Sequence, residues 1–318
     1  MPLERLTATE QDVCFRALES LRLPAYKGST FRGAFGHAFK HVACALKTNV
    51  CAKCLLRHRC AYSVCFETPV PQEAEILRKY PFAPHPFVLE PPQDDRREYE
   101  PGAELQVRLY LVGKAQEYLP HFIYAFEEMG KRGLGREPGK TELVWVRSRR
   151  NGETNLIYDG NAQELVGAPM VWSAHEIATR SSTLAGIPLR LIFETPTRVK
   201  SEGRLAAAPD FATLAPSLLR RLNMLHYFFC GGEFARDIHP LLDAARGVKT
   251  LETEMRWVDW TRYSARQDAT MQLGGFVGTM TISPPPENVL VYILWGELLH
   301  LGKGGAFGLG KYRIEPIE

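Results

Sequence analysis

The 318-residue chain contains no run of the ~18 consecutive apolar residues that a membrane span needs. Its start, MPLERLTATEQ, lacks the basic stretch followed by an apolar one that marks export. An intracellular, cytoplasmic protein without a membrane partner is therefore expected. Excess charge of one sign is also scarce: 39 Lys and Arg oppose 36 Asp and Glu, a net charge of +3. That balance cannot establish nucleic-acid binding by itself, because binding depends on where the cations cluster. No Walker A motif is present. Hydrophobic residues at 45% and charged residues at 24% suit a globular chain rather than a disordered one or a coiled-coil rod. The length suits about two domains.

Cysteine is sparse but concentrated. Of seven cysteines, Cys14 and Cys230 stand alone, whereas Cys44, Cys51, Cys54, Cys60 and Cys65 fall within 22 residues. In a reducing compartment that crowding points to metal rather than disulfides. The run Cys44-x6-Cys51-x2-Cys54-x5-Cys60 offers four thiolates, the set that suits tetrahedral zinc. A [4Fe–4S] cluster uses the same ligands, so the spacing leaves both open. His41, one turn before Cys44, is a further candidate ligand.

Hydrophobic periodicity and turn residues outline the elements. A strand is expected from Phe15 to Leu23, then a helix from Ser29 or Thr30 to about Ala45 with the apolar stripe Phe31, Ala34, Phe35, Ala38 and Val42. Its opposite face carries Gly33, His37, Lys40, His41 and Cys44. A Pro-rich excursion, about 69–101, holds one short strand near Phe87–Leu89. Strand Ala103–Val112, helix Leu119–Met129 and strand Thr141–Arg147 follow, then short strands at Asn155–Tyr158 and Met170–Trp172. The second half reads as strand Leu189–Phe193, helix Pro216–Phe229, strands Leu251–Trp257 and Leu273–Ile282, helix Pro286–Leu299 and strand Lys311–Ile314.

An internal repeat supports a division into two units. Residues His121–Val146 and Asn288–Ile314 each run helix, Gly-Leu-Gly turn with basic neighbours, strand; the turns are Gly133-Leu134-Gly135 and Gly308-Leu309-Gly310. Two copies of a ferredoxin-like unit explain the pattern. The expected architecture is α+β, with two tandem ferredoxin-like (RRM-like) domains and a cysteine-rich metal-binding insertion at about 44–66 in the first. The domains are 1–150 and 188–318, joined by connecting strands over 151–187.

Two stretches suit RNA. His300 to Lys311 holds five glycines (Gly302, Gly304, Gly305, Gly308, Gly310) and two lysines (Lys303, Lys311) within 12 residues. Glycines let backbone amides approach phosphates, and lysines supply charge. A helix precedes this loop and a strand follows it, the reverse of a dinucleotide-binding turn. Thr261 to Gln267 combines Arg262 and Arg266 with Tyr263 and polar side chains, followed by Gly274, Gly275 and Gly278, which admit a close backbone. Arg147, Arg149 and Arg150 form a further basic patch.

YKGSTFRGAFGHAFK (26–40), the cysteine cluster followed by Tyr62 and Phe66-Glu67, GLG at 133–135, FETPTRVK (193–200), RYSARQ (262–267) followed by LGGFVG (273–278), and HLGKGGAFGLGKY (300–312) occur in order over nearly the whole chain. In them the sequence resembles the CRISPR-associated endoribonucleases of the RAMP superfamily that process precursor CRISPR RNA. The four-cysteine spacing resembles a cysteine-bearing branch, in which the position of Cys65 is usually apolar. The resemblance implies tandem ferredoxin-like domains, a C-terminal glycine-rich loop that touches the CRISPR repeat RNA, and cleavage by general acid/base catalysis without a metal or other cofactor. Partners would be the repeat RNA and its crRNA product, with other subunits of a CRISPR effector complex. A non-catalytic RNA-binding subunit of such a complex is the rival reading, and an iron–sulfur redox protein a third.

In metal-independent RNA cleavage the 2′-OH attacks the adjacent phosphate, so the site needs a base, an acid for the 5′-oxygen and cations for the phosphorane charge. Histidine serves the first two near pH 7 and lysine the third. His37, Lys40 and His41 are the candidate catalytic residues, with Tyr26 and Lys27 upstream. His300 and Lys303 are alternatives across an expected cleft.

Overall fold

The computed structural model describes residues 3–47, 50–71, 74–75, 82–201, 203–234, 237–259, 261–264 and 269–317, with 261–264 and 269–272 described by backbone alone. The chain divides into two compact units. One is Thr7–Trp172 with Phe228–Cys230; the other is Met1–Leu6, Ser173–Tyr227 and Gly231–Glu318.

The first unit is built from β1 (Ala8–Ala17), α1 (Gly28–Ala43), β2 (Phe87–Glu90), β3 (Glu104–Val112), α2 (Leu119–Arg132) and β4 (Thr141–Arg150). The strands lie in the antiparallel order β2-β3-β1-β4, the ferredoxin-like arrangement. Two more strands, β5 (Glu153–Asp159) and β6 (Glu164–Leu165), extend the sheet past β4, and β7 (Val171–Trp172) pairs with the start of β1. Residues 153–172, expected to be connecting strands, thus extend the first unit's sheet.

The first strand begins seven residues before Phe15, where the periodicity placed it. Thr9, Glu10 and Gln11 look like surface residues, yet they are buried because β1 is flanked on both sides by partner strands. Arg108 on β3 lies 3.3 Å from the buried Glu10 and 2.7 Å from the half-buried Asp12, so both acids have a cation. Burial still pushes the Glu10 carboxyl upward against Arg108.

Helix α1 forms where its stripe predicts. Phe31, Phe35, Ala38 and Phe39 are buried, and Phe35 meets Phe126 of α2 at 4.5 Å between ring centroids while Phe39 meets Phe122 at 4.7 Å. These rings fix α1 against α2, leaving the opposite face of α1 without core contacts.

The second unit repeats the plan: β8 (Leu189–Thr197), α4 (Phe211–Cys230), β9 (Thr250–Val258), β10 (Gly275–Ile282), α6 (Glu287–Leu299) and β11 (Tyr312–Pro316), in the antiparallel order β9-β10-β8-β11. Two helices here had no counterpart in the sequence reading: α3 (Ala174–Leu184) and α5 (His239–Arg246). A capping box between Ser173 and Glu176 starts α3. Packed on one side by the sheet and on others by α3 and α5, α6 buries ten of its residues. Among the described residues, no helix is long and apolar enough to cross a membrane.

Candidate nucleic-acid interface

On the outward face of α1, His37 and His41 are exposed and Lys40 is half-buried. Gly33, one turn before His37, opens onto free space: a Cβ there would meet nothing within 4 Å. The Lys40 ammonium sits 5.8 Å from the Tyr62 ring centroid. Among the described residues no carboxylate pairs with His37, Lys40 or His41. The face therefore offers two imidazoles and an ammonium, the groups that acid/base cleavage of RNA requires.

The upstream candidates serve the fold. Lys27, at the N-cap of α1, is fully buried and donates to the Asp94 carbonyl at 2.6 Å and to its carboxylate at 3.0 Å. Burial pushes the Tyr26 phenol well above its ordinary range, so it stays protonated near pH 7.

The glycine-rich loop is tied to β8. Leu301 donates to Gly310 O, Lys303 to Arg198 O at 3.1 Å, Gly310 to Pro196 O and Lys311 to Thr195 Oγ1. Gly302 takes φ +81°, and a Cβ there would lie 2.5 Å from Arg198 O, so a side chain would push the loop off the strand. Much of the loop's backbone is thus spent on its own shape; among the described residues the amides of Gly302, Gly304, Gly305 and Ala306 have no internal acceptor. His300 is also structural: fully buried, at φ +64°, its Nδ1 lies 3.0 Å from Leu309 O. This corrects its candidacy as an acid or base, since the ring is shut away from any substrate.

Seating the loop on β8 gathers cations from three segments. Lys303 is exposed, and its pKa is lowered by partial burial and by the charges of Lys200, Arg198 and Arg220. Arg198 is half-buried, its Nε has no hydrogen-bond partner, and burial lowers its pKa. Lys303 with three cations near enough to act on its charge makes a site for a polyanion. Lys311 points elsewhere, 3.3 Å from Glu194. Arg266 lies outside the described residues, and Arg262 is placed by backbone alone on Thr261–Ser264, which pairs with Ala269–Gln272.

The glycine positions on β10 explain themselves. A Cβ at Gly275 would lie 2.7 Å from Thr197 O, next to a register shift in β8 between Phe193 and Thr197. The Gly133-Leu134-Gly135 turn packs equally closely, with Arg22 O 2.8 Å from a Cβ on Gly135. Of the arginine patch, Arg147 lies over the Trp145 ring, Arg149 pairs with Asp12 and Arg150 donates to Val171 O. These residues hold the first sheet together.

Residues 191–312, which contain the bulged strand, the loop and its cations, match the family model of the CRISPR-associated endoribonuclease Cas6. This segment is the Cas6-like part of the chain. Residues 6–170 match a second family model, AF_1859_N, described as an N-terminal domain. An uncharacterized protein of Archaeoglobus fulgidus is 25% identical over 298 residues, covering 92% of each chain. The fold is similar to Thermus thermophilus Cas6 in a product complex, with TM-score 0.59, 16% identity and coverage of 98% of this chain and 100% of that one. It is also similar to a Cas6-RT-Cas1–Cas2 complex chain, with TM-score 0.60, 13% identity and coverage of 98% of this chain but 46% of that one. The present chain thus spans less than half the length of that one.

In the first unit the cysteines follow α1 closely. Burial raises the Cys51 thiol; Lys40 opposes this, and Glu67, Cys44 and Cys60 add to it, so Cys44, Cys51, Cys60 and Lys40 share one neighbourhood. Leu56 N–H donates to Cys54 Sγ at 3.4 Å, and Cys60 Sγ lies 3.6 Å from Ala43 O. Among the described residues, however, no three His, Cys, Asp or Glu side chains come together as a metal site. The arrangement does not supply the tetrahedral set that the spacing of Cys44, Cys51, Cys54 and Cys60 suggests, for zinc or for an iron–sulfur cluster.

Arg198, Lys200 and Arg220 were not singled out from sequence. A signal existed for the first two: in Thr197-Arg198-Val199-Lys200 the buried Val199 separates two cations, the alternation of a strand with one wet face. Arg220 comes from a helix and joins them only through the fold.

Proposed function

We propose that this chain binds the repeat of precursor CRISPR RNA and cuts it by attack of a ribose 2′-OH on the adjacent phosphate, leaving a 2′,3′-cyclic phosphate and a 5′-OH. The observation that carries the reading is the cluster of Arg198, Lys200, Arg220 and Lys303 beside the open amides of the glycine-rich loop. RNA phosphates neutralise such a cluster, and loop amides add neutral donors.

Chemistry is assigned to the open face of α1. His37 takes the proton of the 2′-OH or supplies one to the 5′-oxygen, Lys40 offsets phosphorane charge, and His41 is the second imidazole. These roles need no metal ion. The Cas6 match over residues 191–312 and the product and substrate-mimic complexes of similar Cas6 structures support RNA as substrate. The similar chain in a Cas6-RT-Cas1–Cas2 complex supports association with other CRISPR proteins. Incubating the chain with the repeat RNA of its neighbouring array and with a scrambled RNA tests the reading: the repeat should be cut at one position, and equal cutting of both would refute specificity.

A further inference from the structure

The near-neutral charge of the whole chain conceals a segment of one sign. Between Glu19 and Glu67 there is no acidic residue, while Arg22, Lys27, Arg32, Lys40, Lys47, Lys53, Arg57 and Arg59 all lie there. At the average density of Asp and Glu, a stretch this long would hold about five acids. The fold consumes part of this charge: Lys27 is buried on Asp94, Arg22 faces Glu98, and Arg32 lies over the Phe66 ring. Of the remainder, Lys53, Arg57 and Arg59 lie on the knuckle from Cys51 to Cys60.

Short turns shape that knuckle. Cys54 N–H donates to Cys51 O, Arg57 N–H to Cys54 O, Arg59 N–H to Leu56 O and Cys60 N–H to Leu56 O, all at 2.8–3.1 Å. Lys53, His58 and Arg59 are exposed and Arg57 is half-buried. Among the described residues no carboxylate pairs with Lys53, Arg57 or Arg59. Cys60 Sγ lies 3.6 Å from Ala43 O in the last turn of α1, so the knuckle adjoins the end of the helix that carries His37, Lys40 and His41.

We propose that Lys53, Arg57 and Arg59 on the cysteine-rich knuckle form a second cationic site that takes the phosphodiester backbone of RNA next to the α1 face. The site rests on the RNA-processing reading and adds to it a contact separate from the glycine-rich loop. Cations without acidic partners repel one another, and a backbone of evenly spaced phosphates relieves that repulsion without any base being read. The contact is therefore expected to add affinity and to hold the strand near His37, with little sequence preference.

The test is equilibrium binding of the full chain to its repeat RNA carrying a single 2′-deoxy nucleotide at the position of cleavage, which removes only the attacking hydroxyl, over a series of salt concentrations. For single strands each phosphate contact contributes about 0.7 to the slope of log affinity against log salt. Combined Lys53→Ala, Arg57→Ala and Arg59→Ala should weaken binding about 10- to 100-fold at 0.15 M salt and reduce the slope by about 2. The charge-keeping set Lys53→Arg, Arg57→Lys and Arg59→Lys should retain both. If the triple alanine chain does not fold, single Lys53→Ala and Arg59→Ala variants carry the test, each removing about 0.7 of slope. Unchanged affinity and slope, with loss of affinity in Arg198→Ala and Lys303→Ala, overturns this site while the RNA reading stands. A wild-type chain that binds the repeat no better than a double-stranded DNA of equal length overturns both.

Discussion

The fully buried ammonium of Lys27 sits 3.0 Å from the carboxylate of Asp94, 67 residues further along the chain. The pair pins the start of α1 to the Pro-rich excursion. Burial alone would raise the Asp94 carboxyl, but hydrogen bonds from Lys27, Tyr99 and the Arg96 amide outweigh it and hold the group below 3.8. A carboxylate with a depressed folded pKa adds stability above its unfolded value, and that contribution is lost as pH falls through the folded one. Asp94→Ala should therefore cost about 1–3 kcal/mol at pH 7 and make unfolding less steeply dependent on pH below about 4. Lys27→Met, which removes the buried charge, should cost less. Denaturant melts at pH 7 and pH 3 check this; equal losses for both variants would contradict it.

A second expectation concerns Arg221 on α4. Its guanidinium donates to Leu299 O at 3.0 and 3.1 Å and to His300 O at 3.2 Å, closing the C-terminus of α6 where the glycine-rich loop begins. Burial pushes its pKa down to about 10, so it remains charged at neutral pH. Arg221→Met leaves these carbonyls without their donor, and amide exchange at Leu301, Lys303 and Gly310 should accelerate about 10-fold or more, the equivalent of about 1.4 kcal/mol. Unchanged protection there would show that the loop holds itself.

Much of this fold was legible because its elements are locally consistent. The stripe Phe31, Phe35, Ala38 marked α1, and the helix, Gly-Leu-Gly turn, strand repeat marked the tandem units. What failed is equally physical. The start of β1 was missed because Thr9, Glu10 and Gln11 are polar residues buried between two strands, and period-2 reasoning expects one wet face. Helix α3 was missed although Ser173-x-x-Glu176 gave a capping box. His300 looked like a catalytic imidazole from its type and its glycine neighbours; only its burial against Leu309 O distinguishes a structural ring. The Arg198, Lys200, Arg220 and Lys303 cluster draws on segments separated by more than 100 residues, which no local pattern can report.

A third expectation separates the two loop lysines. Lys303 stands among cations and Lys311 faces Glu194. Salt-dependent binding of repeat RNA should lose about 0.7 of slope in Lys303→Ala and in Arg198→Ala, and much less in Lys311→Ala. Equal effects at both lysines would mean that Lys311 exchanges Glu194 for phosphate.

The cysteines give a fourth. Burial pushes the Cys14 thiol up to about 12, with Glu104 adding to it, and raises Cys65 further. Thiolate is the reactive form, so both should stay silent toward a thiol reagent at pH 8 in the folded chain, while Cys44, Cys51, Cys54 and Cys60 react. Mass spectrometry of the labelled protein reads this directly. Labelling of Cys14 or Cys65 as fast as the other four would contradict the burial. Protection of those four that a chelator reverses, with about one zinc per chain by elemental analysis, would show that they close on a metal.

The most direct measurement is single-turnover cleavage of the repeat RNA by wild type and by His37→Ala, both in EDTA. The account predicts that wild type cuts in EDTA to give 2′,3′-cyclic phosphate and 5′-OH ends, and that His37→Ala is about 10²- to 10⁴-fold slower with near-normal repeat affinity. Cleavage by His37→Ala at the wild-type rate, or binding of the repeat by wild type without any cleavage, would contradict it.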